Sequence, residues 1–167
     1  DFSAFELRTQ DIPLLKLGEK TGGIKVHVWR RLHASDIVIQ FNFNTPDEKL
    51  RALYWDVRFR RALSMALNRE EMNQLIYFGR GTPGQVTAHP TSRFHVPEYA
   101  TAWTRHDPVE ARRLFAEIGL KDINGDGLLE HPDGSQLTIT VEYIDWETPK
   151  GINMELVESY WRTVGID

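Results

Sequence analysis

The apolar positions of this chain recur with two periods, and each change of period marks a change of element. From residue 36 to 43 the order D-I-V-I-Q-F-N-F alternates, with Ile37, Ile39, Phe41 and Phe43 on one face and Val38, Gln40 and Asn42 on the other. A period of two predicts a strand. Asn44-Thr45-Pro46-Asp47 ends it, because Pro46 has no N–H for a ladder and biases Thr45 towards an extended conformation. Beyond this turn Phe59, Ala62, Leu63, Ala66 and Leu67 fall at the spacing of one buried helical stripe, and Arg58, Arg60, Arg61 and Arg69 lie mostly off it. Asn68 is then placed to cap a second helix, with Glu71 completing a capping box and Gly79 closing the helix in the left-handed conformation.

The same periods organise the rest. Asp11 to Leu17 predicts a short helix with Pro13 in its first turn and glycines at 18, 22 and 23 as stops. Ile24, Val26 and Val28 alternate with Lys25, His27 and Trp29, which predicts a half-buried strand. Gly79 to Ala102 shows no period and is long for a connection, so it is either functional or pinned by packing. Asp107-Pro108-Val109-Glu110 is a strong helix start, followed by the stripe Ala111, Leu114, Phe115 and Ile118 and a stop at Gly119. Leu137, Ile139, Val141 and Tyr143 predict another strand, and Val157, Tyr160, Trp161 and Val164 one face of a last helix. Interleaved strands and helices predict a mixed α/β or α+β fold, in which a sheet flanked by helices buries the stripes.

Composition narrows the function. The 167 residues suffice for one core, and they carry 20 Lys and Arg against 24 Asp and Glu, a formal net charge of -4. Binding of nucleic acid rests on a concentrated basic face, so no nucleic-acid partner is expected. No apolar run approaches the roughly 20 residues of a membrane-spanning helix. Cysteine is absent, which removes disulfides, thiol catalysis and thiolate metal sites.

The sharpest chemical motif is Asp122-Ile123-Asn124-Gly125-Asp126-Gly127-Leu128-Leu129-Glu130, the first half of a calcium loop of the EF-hand kind. Its twelfth position is Asp133 in place of a bidentate Glu, and Pro132-Asp133-Gly134 turns into a strand where a helix would follow. The motif is read as a structural turn, with calcium binding as the alternative. The six histidines at 27, 33, 89, 95, 106 and 131 include no i, i+4 pair, and His89 and His95, six apart like His27 and His33, share the long aperiodic segment. Ser64 sits within a predicted helix, Ser92 lacks the glycines of a nucleophile elbow, and the glycines at 79, 81 and 84 follow a helix where a phosphate loop would open one. No catalytic residue, metal ligand or cofactor is therefore assigned, and the chain is not expected to be an enzyme.

Three blocks carry a resemblance. "FNFNT" with "DVRFRRALSMALNREEMNQLIYFGRGTPG", then "ARRLFAEIGLKDINGDGLLEHPDGSQLTITV", then "NMELVESYWRTVGID" resemble, in that order, the family 5 extracellular solute-binding proteins. These are the oligopeptide, dipeptide and nickel-binding receptors of ABC importers. The resemblance implies that residues 1–167 are a single-lobe fragment of a larger two-lobe protein with a periplasmic-binding-protein-like type II fold. Its opening at Asp1-Phe2-Ser3 and its end at Gly165-Ile166-Asp167, where family members continue into a strand, agree with that expectation. The implied function is capture of a peptide or similar small solute in an inter-lobe cleft, outside the cytoplasm and associated with the membrane. The implied partners are that solute, the transporter's membrane subunits and the remaining lobe. Gln40, Asn42 and Asn44 are then expected to border the cleft, and the 79–102 segment to be pinned by packing. Flat rings grip ligand stems, so Trp103 and Trp146 are candidate wall residues, with Trp29 and Tyr143 as further possibilities. The alternatives are a sensory module that reuses the lobe and a hydrolase acting through loop carboxylates.

Overall fold

Helices in this chain begin where a side-chain oxygen or a proline accommodates amides that have no partner of their own. The computed structural model describes residues 7–29, 35, 37–144 and 149–167. A 3₁₀ turn at Thr9–Asp11 leads into α1 (Ile12–Gly18), followed by α2 (Glu48–Trp55), α3 (Val57–Ala66), α4 (Arg69–Tyr77), α5 (Pro97–Thr101), α6 (Pro108–Glu117) and α7 (Lys150–Thr163). The Asp47 carboxylate accepts from the amides of Lys49 and Leu50, and Asp56 accepts from Arg58. The expected caps are present: Asn68 accepts from the Glu71 amide at 3.1 Å and Asp107 from the Glu110 amide at 2.9 Å. In the capping box, Glu71 receives the Asn68 side-chain amide (3.1 Å) in place of its backbone N–H. The left-handed stop involves two residues, Phe78 (φ 55°) and Gly79 (φ 69°), whose amides both donate to the Asn73 carbonyl.

The core is built around α3. Its stripe Phe59, Ala62, Leu63, Met65 and Ala66 is buried, and it meets Ala111, Leu114 and Phe115 of α6. The rings of Phe41, Tyr54, Phe59 and Phe115 form a continuous run with centroid separations of 5.2, 6.2 and 5.6 Å. All three pairs are tilted, the arrangement that places ring edges against ring faces. α7 adds Val157 and Trp161, and the buried Trp161 indole donates to the Leu63 carbonyl at 3.1 Å. At the α4–α7 contact the buried Asn153 donates to the Tyr77 hydroxyl (3.2 Å) and to the Pro149 carbonyl (2.7 Å).

The expected strands are where the structure differs. Among the described residues there is no strand ladder, only isolated antiparallel bridges from Glu130 to Lys121 and to Gln136. The predicted alternation of faces holds over 37–42, where Ile37, Ile39 and Phe41 are half-buried and Val38, Gln40 and Asn42 exposed, but it fails at Phe43, which is exposed and packs on Trp55. The half-buried strand expected over 24–28 is not found. Ile24 and Val28 are exposed, and the Val26 backbone bonds the side chains of Glu19 (2.6 Å) and Lys16 (2.9 Å). Over 137–143 the Ile139 amide donates to the Asp167 carbonyl at 2.8 Å, and Leu137 is fully buried. Alternation reports which side chains face the core, whereas a ladder needs a second backbone alongside, and no described segment supplies one.

Candidate functional site

Ser64 lies in the last turn of α3, and its hydroxyl gathers residues far apart in the chain. It donates to the Trp103 carbonyl (2.8 Å) and accepts from the Arg69 guanidinium (2.8 Å) and the Gln85 side-chain amide (3.0 Å). Gln85 also donates through its side chain to the Ala102 carbonyl (2.9 Å) and through its backbone to Ala100 (2.8 Å). The aperiodic segment is thus pinned to the helices, and the bonds that hold it are polar ones to carbonyls. A further pair fixes its start, since Asn73 donates to the Gly81 carbonyl (3.1 Å) and accepts from the Gly81 amide (2.8 Å).

These bonds hold Trp103 in the left-handed region at φ 56°, a conformation that costs a non-glycine residue about 1–3 kcal/mol. Its ring is 44% exposed, with the Arg61 guanidinium 4.2 Å above the centroid. Arg61 makes no ion pair among the described residues, and neither does Arg69. Burial pushes the Arg69 guanidinium below its usual pKa, and its other bond is to the Ser64 carbonyl at 2.7 Å. That bond places a cation at the C-terminal end of α3, where the helix dipole favours one.

Gln40, Asn42 and Asn44 are exposed. The Asn42 side chain accepts from the Asn44 amide (3.0 Å) and its carbonyl accepts from the Thr45 amide (3.2 Å), so this residue shapes the turn. Between them Phe43 stacks at 4.9 Å on Trp55, whose indole donates to the Phe43 carbonyl (3.3 Å), and Arg60 lies 5.4 Å from the Phe43 ring centroid. The two candidate segments therefore reach adjacent residues of α3, Phe43 at Arg60 and Trp103 at Arg61. No hydrogen bond or ring contact joins Gln40, Asn42 or Asn44 to Trp103 among the described residues. Trp146 lies outside the described residues, and Trp29 and Tyr143 are exposed. Sequence reasoning placed Arg60 and Arg61 off the buried stripe and passed over Trp55. The available signal was that arginines beside a helical stripe lie within reach of any exposed ring.

The acidic loop is closed by its own amides. Asp122 accepts from Gly125 (2.6 Å) and Gly127 (2.9 Å), Asp126 from Leu128 (2.8 Å), and the buried Glu130 from the Ile123 amide (2.7 Å) and the Asn124 side chain (2.9 Å). Oxygens of Asp122, Asp126 and Glu130 lie within 4.8 Å of one another, so the spacing seen in the sequence does bring three carboxylates together. His89 bonds Thr91 (2.9 Å) and His95 bonds the Ala88 carbonyl (2.8 Å), so both are engaged within their own loop. Ser135 has a lysine nearby, with Lys49 donating to its hydroxyl (2.7 Å) and to Asp133 (2.5 Å). The hydrogen bond from Lys49 holds the Asp133 carboxyl well below its usual range, and the arrangement clamps the 132–135 turn to α2 as an ion pair.

With the geometry described, comparison with known proteins gives a consistent set of matches. The family model for bacterial extracellular solute-binding proteins, family 5 Middle, matches residues 4–167. The oligopeptide-binding protein AppA of Bacillus subtilis is 24% identical over 152 residues, covering 91% of this chain and 26% of the relative. The solved oligopeptide-binding protein OppA superposes with a TM-score of 0.76 at 32% identity, covering 95% of this chain and 25% of that one. A mannohexaose-bound periplasmic oligopeptide-binding protein from Thermotoga maritima gives 0.56 at 27% identity, over 66% and 21%. The chain thus spans about a quarter of the length of these relatives.

Proposed function

The chain belongs to the family 5 bacterial extracellular solute-binding proteins, and from that premise we propose that it forms part of one lobe of the substrate-binding component of an ABC importer. The observation that carries this reading is that nearly the whole chain superposes on a solved oligopeptide-binding protein. In the proposal the fold is of type II, and the segments 37–43 and 137–143 enter a sheet completed by the rest of the receptor. Gln40, Asn44 and Trp103 border the cleft between lobes, and Asn42 shapes the turn that presents them. The solute is a peptide, held largely by hydrogen bonds to its main chain and by ring contacts. An oligosaccharide is the second reading, favoured by the mannohexaose in one structural neighbour. Ring platforms suit either ligand, because both offer flat apolar stretches between polar groups.

Closure of two lobes around the solute by hinge motion would produce the form that membrane subunits recognise, and the solute biases that equilibrium through its tighter binding to the closed state. The work takes place outside the cytoplasm, at the membrane face of the transporter. No reaction is performed on the solute. Among the described residues no helix is long and apolar enough to cross a membrane. Isothermal titration of the full-length protein and of residues 1–167 with tri- to nonapeptides tests the reading. The full-length protein is expected to bind with at least about a hundredfold higher affinity, because burial on two sides supplies most of a ligand's free energy. Equal, tight binding by residues 1–167 alone would contradict it.

A further inference from the structure

Arg61 differs from the cations of this chain that are paired with acids. Arg51, Arg58, Arg105, Arg113 and Arg162 each lie against a carboxylate, as do Lys16 and Lys49. Acids outnumber bases 24 to 20, so a carboxylate partner is not in short supply. Arg61 lies instead over a half-exposed indole, its Cζ 4.2 Å from the ring centroid. That indole belongs to a residue held in the left-handed region by hydrogen bonds from Ser64 and Gln85 to carbonyls 103 and 102. Packing does not explain the arrangement, because Trp103 contributes nothing to the buried core.

We propose that Arg61 and Trp103 form a subsite for a carboxylate of the bound solute. A guanidinium held over a ring by its central carbon keeps N–H donors at its edge, able to take a carboxylate through two parallel hydrogen bonds. The ring contact also restricts the side chain and lowers the conformational entropy lost on binding. Arg60, the next residue on α3, and Arg69, the first residue of α4, which bonds the Ser64 hydroxyl and has no counterion among the described residues, add positive potential nearby. The carboxylate comes from a peptide's C-terminus or from an acidic side chain, and both present the same chemistry.

This inference rests on the receptor reading above, and the test separates the two. The full-length protein is titrated calorimetrically with trialanine, trialanine amide and Ala-Glu-Ala amide. Trialanine or Ala-Glu-Ala amide should bind about tenfold or more tightly than trialanine amide, as expected for hydrogen bonds to a charged group, and the arm that gains identifies the source. Arg61→Gln should abolish that gain and leave the affinity for trialanine amide within about twofold, because the remaining contacts are unchanged. Arg61→Lys should restore only part of it, since an ammonium keeps the charge and loses the fork. A wild-type protein without the gain, or an Arg61→Gln variant that keeps it, overturns the subsite. If the wild-type protein binds none of these peptides, the peptide reading fails by itself. The subsite is then decided with glutarate: the Arg61 Nε–H resonance should move in the wild type and stay fixed in Trp103→Ala, and a wild-type resonance that does not move overturns the inference.

Discussion

His131 is 6% exposed, and burial pushes its imidazole towards the neutral form, with nearby Lys49 adding to that and Asp133 and Asp47 opposing it. A histidine whose folded pKa lies below its unfolded value of about 6.5 binds more protons when unfolded. Its effect on stability is absent above that value and grows as a penalty while pH falls from there to the folded pKa. Thermal midpoints should therefore fall between pH 7.5 and 5.5, and the fall should be shallower in His131→Gln. Asp133 acts in a separate window, because the hydrogen bond from Lys49 lowers its pKa. Its contribution is present above the unfolded value of about 3.8 and is lost as pH falls below it. Asn73 is the other residue whose replacement should register. Asn73→Leu leaves the Gly81 amide and carbonyl without partners and should cost about 1–3 kcal/mol by urea denaturation. At this scale the burial of Phe59 and Phe115 was legible from period alone, because spacing determines which side chains share a face. The strained backbone of Trp103 was not legible, since it is imposed by a serine 39 positions away.

Helix boundaries were the most legible elements. Asp107 and Asn68 cap where an acceptor precedes a periodic run, because a cap is satisfied within three residues of itself. Asp107→Ala should lower stability by about 1 kcal/mol in urea. The Asp107 amide also donates to the Met65 carbonyl at 2.8 Å, which ties the start of α6 to the end of α3, so the variant should loosen that junction and be read by faster hydrogen exchange there. The end of α7 depends on Gly165 at φ 86°, where a Cβ would meet the Leu129 side chain at 2.8 Å and its own backbone would be strained. Gly165→Ala should cost about 1–3 kcal/mol. It should also weaken the 2.7 Å bond from the Leu129 amide to the Gly165 carbonyl, which anchors the acidic loop to the helix end. Strand pairing was the element-scale expectation that the structure did not bear out. Alternating side chains are a property of one segment, and a ladder is a property of two.

For the molecule as a whole, the helices α3, α6 and α7 form a core that closes on itself, while large apolar residues at Leu14, Leu17, Val28 and Trp29 face outward. Amide exchange in residues 1–167 should accordingly be slowest in α3 and α6 and fast over 24–29, 37–43 and 137–143. In the full-length protein, 37–43 and 137–143 should become protected if the proposed sheet forms there, and unchanged rates would count against that part of the reading. The order of amino acids alone determined the helix starts at Asn68 and Asp107, the buried stripes and the family, because caps, periods and motifs are relations between near neighbours. Only the tertiary structure decided that Arg61 lies over Trp103, that Ser64 holds a distant carbonyl, and that three carboxylates of the acidic loop converge. Those are distances through space, and the chain specifies them only after the core has brought its separate segments together.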